Sequence, residues 1–82
     1  MKTQTIEEIE RRLDDDGNVD FSHCDLRSFD FRGHNLMYAN FELADLRGCD
    51  FQNVDLRNAN FEFTDLRGAK LLGANFKHAL IK

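Results

Sequence analysis

The chain has 82 residues, with 15 Asp and Glu against 11 Lys and Arg and a formal net charge of −4. That is one small domain with little capacity for a conventional globular core. A pI of ≈ 5.2 lacks the basic footprint of direct nucleic-acid binding. No apolar run is long enough for a membrane span or a signal peptide, so a cytoplasmic location and no membrane partner are expected.

The first element in chain order is a short helix in "TQTIEEIERRL". Ile6, Ile9 and Leu13 fall at i, i+3 and i+7, one narrow apolar stripe. Thr5 and Glu8 fit a capping box, Glu7 and Glu8 suit the positive helix start, and Arg11 and Arg12 suit its negative end. "DDDG" at 14–17 opposes continuation and predicts a solvated turn. It is not a calcium loop, because Arg12 occupies the first ligand position and no Glu closes it. Residues 1–16 are therefore read as a helix and turn that cover the rest of the chain.

Beyond the turn the sequence repeats. From Phe21 through Leu26, Phe31, Leu36, Phe41, Leu46, Phe51, Leu56, Phe61, Leu66, Leu71 and Phe76 to Ile81, every fifth residue is large and apolar. Five is neither the helical nor the strand period. Two positions earlier the residue is mostly small, with Phe29 and His34 as the exceptions. The position between is Asp or Asn, broken only by Lys70 and Leu80.

Units such as "ADLRG", "CDFQN", "VDLRN" and "ANFEF" resemble the pentapeptide-repeat family, over residues 19–82. The resemblance implies an all-β solenoid over 17–82, a right-handed quadrilateral parallel β-helix with four units per coil. Each unit is then one side of a square, with its Phe or Leu pointing into the shaft. The residue two before also points inward, and must be small. At twenty residues per coil there are about three coils, each rising ~4.8 Å. Phe21, Phe41, Phe61 and Ile81 fall on a first face, and Leu26, Leu46 and Leu66 on a second. Phe31, Phe51 and Leu71 form a third, and Leu36, Leu56 and Phe76 a fourth. Gly or Asn in the last unit position (Gly33, Gly48, Asn53, Asn58) suits the positive φ of a tight corner. Cys24 and Cys49 read as small core residues, although one disulfide is possible by count. The N-terminal helix is expected to sit on the first coil, with Phe29 and His34 packed against it.

Catalysis finds little support. His23, His34 and His78 lie at different phases of the repeat, and no phosphate loop or hydrolase motif is present. No metal or cofactor is expected, and the chain is read as no enzyme. Known family members mimic double-stranded DNA toward bacterial type II topoisomerases such as DNA gyrase, so mimicry is one reading. Yet of the net charge, −3 belongs to residues 1–16 and only −1 to the rod, where nine acids face eight bases. The preferred reading is a protein–protein interaction or scaffold module. One corner carries His23, Leu43 and Phe63 in its last position, with Glu42 and Glu62 alongside: an apolar patch rimmed by charge, and a candidate partner surface. At the far end, Leu71, Phe76 and Ile81 make an apolar floor, and Leu80 replaces the usual Asp or Asn. Several family members dimerise through C-terminal coils, so an end-to-end homodimer is expected. A virion or secretion-system component fits the same sequence.

Overall fold

The computed structural model describes residues 2–13 and 17–82. The turn expected at 14–16 lies outside them. In chain order the elements are β1 (Lys2–Thr3), α1 (Ile6–Arg12), β2 (Cys24–Asp25), β3 (Asn60–Phe61) and β4 (Leu80–Ile81). β1 pairs in parallel with β2, and β3 with β4. Strands are this short because each side of a coil runs straight for only one or two residues between corners. The remaining contacts between coils are single parallel bridges.

Those bridges fix the register. Asp20 pairs with Asn40, Asp25 with Asp45, Asp30 with Asp50 and Asn35 with Asp55, and the pattern continues to Asp55 with Asn75. Each partner lies twenty residues on, so four units complete one turn of the chain.

A five-residue unit closes on itself through two local hydrogen bonds. The N–H of the small residue donates to the carbonyl three residues back, as in Ala44 to Phe41 at 2.9 Å and Val54 to Phe51 at 3.0 Å. This makes a β-turn whose third residue is the last residue of the unit. Every such residue from Asn18 to His78 has φ between 58° and 85°, the signature of a type II corner. The second bond explains the Asp/Asn row. Its Oδ1 accepts the N–H two residues on, from Asp20 with Ser22 to Asn75 with Lys77, an Asx turn that braces the corner. Neither Lys70 nor Leu80 can accept in this way.

Between coils the backbone bonds alternate in direction. Leu46 N–H donates onward to Asp65 O at 2.9 Å, while Asp45 N–H donates back to Cys24 O at 3.0 Å. The shaft is filled as expected: Phe21, Phe31, Phe41, Phe51, Phe61, Leu26, Leu36, Leu46 and Leu56 are all at most 1% exposed. Phenyl rings stack down the columns, Phe41 on Phe61 at 5.2 Å and Phe31 on Phe51 at 5.0 Å. Cys24 and Cys49 are free buried thiols in the small inward positions. The filling weakens in the last coil, where Leu66 and Phe76 are half-buried and Leu71 and Ile81 exposed.

α1 is the expected helix with the expected capping box. Thr5 Oγ1 accepts from Glu8 N–H at 3.1 Å, and Glu8 Oε1 accepts from Thr5 N–H at 3.2 Å. Ile9 and Leu13 are buried, but Ile6 is 65% exposed and leaves the expected stripe. α1 ends at Arg12, so Leu13 is an extended cap residue with φ −88° and ψ 90°, off the helical phase it would share with Ile6. Arg12 fills part of the role instead: its guanidinium donates to Asp20 O and lies 4.8 Å above the Phe21 ring. Phe29 and His34 are half-buried and line an open groove together with Ile6, Ile9 and Glu10 of α1.

Candidate functional site

Two exposed apolar surfaces stand out from the packed shaft. His23, Leu43 and Phe63 occupy one corner, a coil apart, because each is the last residue of a first-face unit. All three are exposed, Leu43 by 42% and Phe63 by 64%. Their φ values are 60°, 58° and 58°, a region that costs an L-residue with a Cβ about 1–2 kcal/mol. Glu42 and Glu62 precede Leu43 and Phe63 and are half-buried; Lys82 Nζ lies 3.3 Å from the Glu62 carboxylate.

The second surface is the last coil. Leu71, Leu80 and Ile81 are 37%, 51% and 61% exposed, Leu72 is 79% exposed, and Phe76 is half-buried. Phe63 N–H donates to Lys82 O at 3.1 Å, so the corner residue stands directly over the edge of this floor. The two surfaces therefore meet at this backbone bond. Tyr38, 58% exposed with φ 61°, is a further bulky corner residue on the fourth face. Its signal in the sequence was its unit position rather than its residue type.

Charge on the faces is locally balanced. Each Arg in the position after the large apolar residue folds back onto the Asp of its own unit: Arg27 on Asp25 at 2.8 Å, Arg47 on Asp45 at 2.6 Å, Arg67 on Asp65 at 2.6 Å. Arg27 and Arg47 also reach the Asp one coil on, at 3.9 and 3.7 Å, and Arg32 reaches Asp50 at 3.3 Å. Hydrogen bonds from Arg32 and Arg67 hold the Asp30 and Asp65 carboxyls down at about 2. Burial pushes the Cys49 thiol up to about 11, and it donates to Leu26 O at 2.9 Å. Among the described residues no group of His, Cys, Asp and Glu is arranged to hold a metal ion. No helix among them is long and apolar enough to cross a membrane.

Stacked twenty-residue turns with a packed shaft define a β-helical solenoid, a repeat architecture in which each coil touches only its neighbours. The family model described as pentapeptide repeats (8 copies) matches residues 17–53 and 44–81, and the chain belongs to that family of right-handed β-helices. Among solved structures it resembles the pentapeptide repeat protein Rfr23 from the cyanobacterium Cyanothece 51142. The identity is 30% and the TM-score 0.75, over 79% of this chain and 45% of that one. The chain thus spans under half the length of Rfr23. It is also similar to alr5209, a pentapeptide repeat protein from Nostoc PCC 7120, at 24% identity and TM-score 0.37, over 99% of this chain and 98% of that one. No curated protein matches the chain.

Proposed function

We propose that the chain is a non-catalytic interaction module whose apolar last coil joins two copies end to end. The square coil, about three turns high and with residues 2–13 against its first coil, serves as the rigid support. The observation that carries this reading is the exposure of Leu71, Leu80, Ile81 and Phe63 at a coil edge on which none of the described residues stacks. Such an edge, with unpaired backbone groups, is a template for another chain. A two-fold contact would cover the same residues on both copies and close the assembly. The corner of His23, Leu43 and Phe63, with Glu42 and Glu62 beside it, then remains as the surface for a different protein partner. Keeping bulky residues in a strained corner conformation supports a use for them outside the fold.

DNA mimicry is the weaker reading. It needs dense negative charge, whereas Asp25, Asp45 and Asp65 each hold an Arg within 2.8 Å. The longest dimension, 28 Å, is also shorter than one ~34 Å turn of the duplex it would imitate.

Light scattering across a concentration series tests the reading. We expect a dimer at micromolar concentration and a monomer for Leu80→Asp/Ile81→Asp, with unchanged circular dichroism. A monomer at high micromolar concentration, indifferent to those substitutions, contradicts the homodimer.

A further inference from the structure

Within the coils, each unit's Asp/Asn-row residue donates its N–H back to the carbonyl of a small residue in the preceding coil, as Asp45 does to Cys24 O and Asn75 to Val54 O, both at 3.0 Å. The large residue's N–H donates onward. In the last coil the Thr64, Ala69 and Ala74 carbonyls and the Leu66, Leu71 and Phe76 N–H groups have no backbone partner among the described residues. Ala79 O and Ile81 N–H follow the same pattern. The edge they form is a ramp that climbs from Thr64 round to Lys82. It drops by one coil spacing, ~4.8 Å, where Phe63 N–H meets Lys82 O at 3.1 Å.

We propose that two copies mate in one register, fixed by this step and by the residues that break the Asp/Asn row. Two ramps of the same hand meet along their whole length only when the two-fold axis runs through both steps. That axis passes through the Phe63 corner and through the opposite corner, between Leu72 and Gly73. Residues 64–68 of one copy then lie antiparallel against 79–82 of the other, and 69–73 against 74–78. The onward groups fit this arrangement. Leu66 N–H meets Ala79 O and Ile81 N–H meets Thr64 O; Leu71 N–H meets Ala74 O and Phe76 N–H meets Ala69 O. Each large inward residue thereby faces a small one.

The outward side chains select the same register. It sets Asp65 of one copy opposite Leu80 of the other, and Lys70 opposite Asn75. Lys70 and Leu80 are the two residues that break the Asp/Asn row. Each cross pair holds one of them, so no two acids face each other. Beside the axis, where any charge would meet its own copy, the column of Arg32 and Gln52 continues with Leu72, 79% exposed. An axis through the middle of the third face would instead set Lys70 against Lys70 and leave the two steps unmatched. The inference rests on the end-to-end reading and adds to it how one copy recognises another: Lys70, Leu72 and Leu80 set the specificity.

Mixing Lys70→Cys protein with Asn75→Cys protein tests the register. Opposed residues of a non-hydrogen-bonded antiparallel pair lie ~4.5 Å apart at Cα, within reach of a disulfide. The native thiols of Cys24 and Cys49 are buried. Mild oxidation should yield mixed disulfide dimers, and neither protein alone should cross-link. Leu80→Asp sets an acid against Asp65 and should weaken the dimer about tenfold without changing circular dichroism. Adding Asp65→Asn should restore it. Residues 65 and 80 lie on different faces of one copy, so a merely structural effect of Leu80→Asp would not be rescued. Three results overturn the register and leave the end-to-end reading standing: a dimer in which Lys70→Cys alone cross-links, one in which the mixture does not, or one that Asp65→Asn fails to restore. A monomer throughout the light-scattering series overturns both.

Discussion

Phe61 and Phe63 are two residues apart, and one is 1% exposed while the other is 64% exposed. Unit position alone separates them: the first points into the shaft and the second sits at a left-handed corner. Truncating a shaft residue such as Phe41→Ala should therefore cost about 3–5 kcal/mol. Phe63→Asn, by contrast, relieves a conformation that disfavours most side chains, and should leave stability unchanged or raise it by up to about 1 kcal/mol. Chemical denaturation of both variants measures the contrast. Carboxylates give a second residue-scale expectation. Asp30 and Asp65 have pKa values lowered from 3.8 to about 2, chiefly by hydrogen bonds from Arg32 and Arg67. A pKa depressed in the folded state contributes stability above the unfolded value, and that contribution is lost as pH falls. The thermal midpoint should thus decline between about pH 4 and pH 2, less steeply in high salt. Asp30→Asn/Asp65→Asn should flatten that decline while keeping the Asx turns.

At the scale of elements, the N-terminal cap divides into a part the sequence shows and a part it hides. Thr5, Glu8 and the flanking charges carry the helix, because capping chemistry is local and involves residues three apart. β1 has no comparable signal: Lys2–Thr3 is two residues long, and only the edge of β2 makes it a strand. Ile6 misleads for a related reason, since a seven-residue helix ends before the i+7 position that would keep Ile6 and Leu13 in phase. The corners were legible where they carry Gly or Asn. At Leu43, Phe63 and Tyr38 residue type argues against positive φ, and only the unit position marks the corner. There the repeat register, rather than propensity, sets the backbone. Ile9→Ala should cost about 2–5 kcal/mol, while Ile6→Ala should stay within about 0.5 kcal/mol. Thermal unfolding of the pair distinguishes a cap that packs through Ile9 from one that packs through the whole stripe.

For the whole molecule, stability and association meet in the same feature: a coil is complete only when another lies on each side of it. The middle coils are complete. In the last one the onward-pointing amides of Leu66, Gly68, Leu71 and Gly73 have no acceptor among the described residues, while Asp65 and Lys70 still donate back to Ala44 O and Cys49 O. The five-residue period foretold this architecture because it recurs thirteen times without a break. The N-terminal groove was not foretold, since it lies between α1 and the first coil rather than arising from any residue pattern. Residue-resolved hydrogen exchange of the last coil, at dilute and at high protein concentration, tests the account most directly. In dilute solution Leu66, Gly68, Leu71 and Gly73 should exchange quickly while Asp65 and Lys70 stay protected, and at high concentration the exposed set should slow. Uniform protection or exchange along the last coil, unchanged by concentration, would contradict both the twenty-residue register and the end-to-end contact.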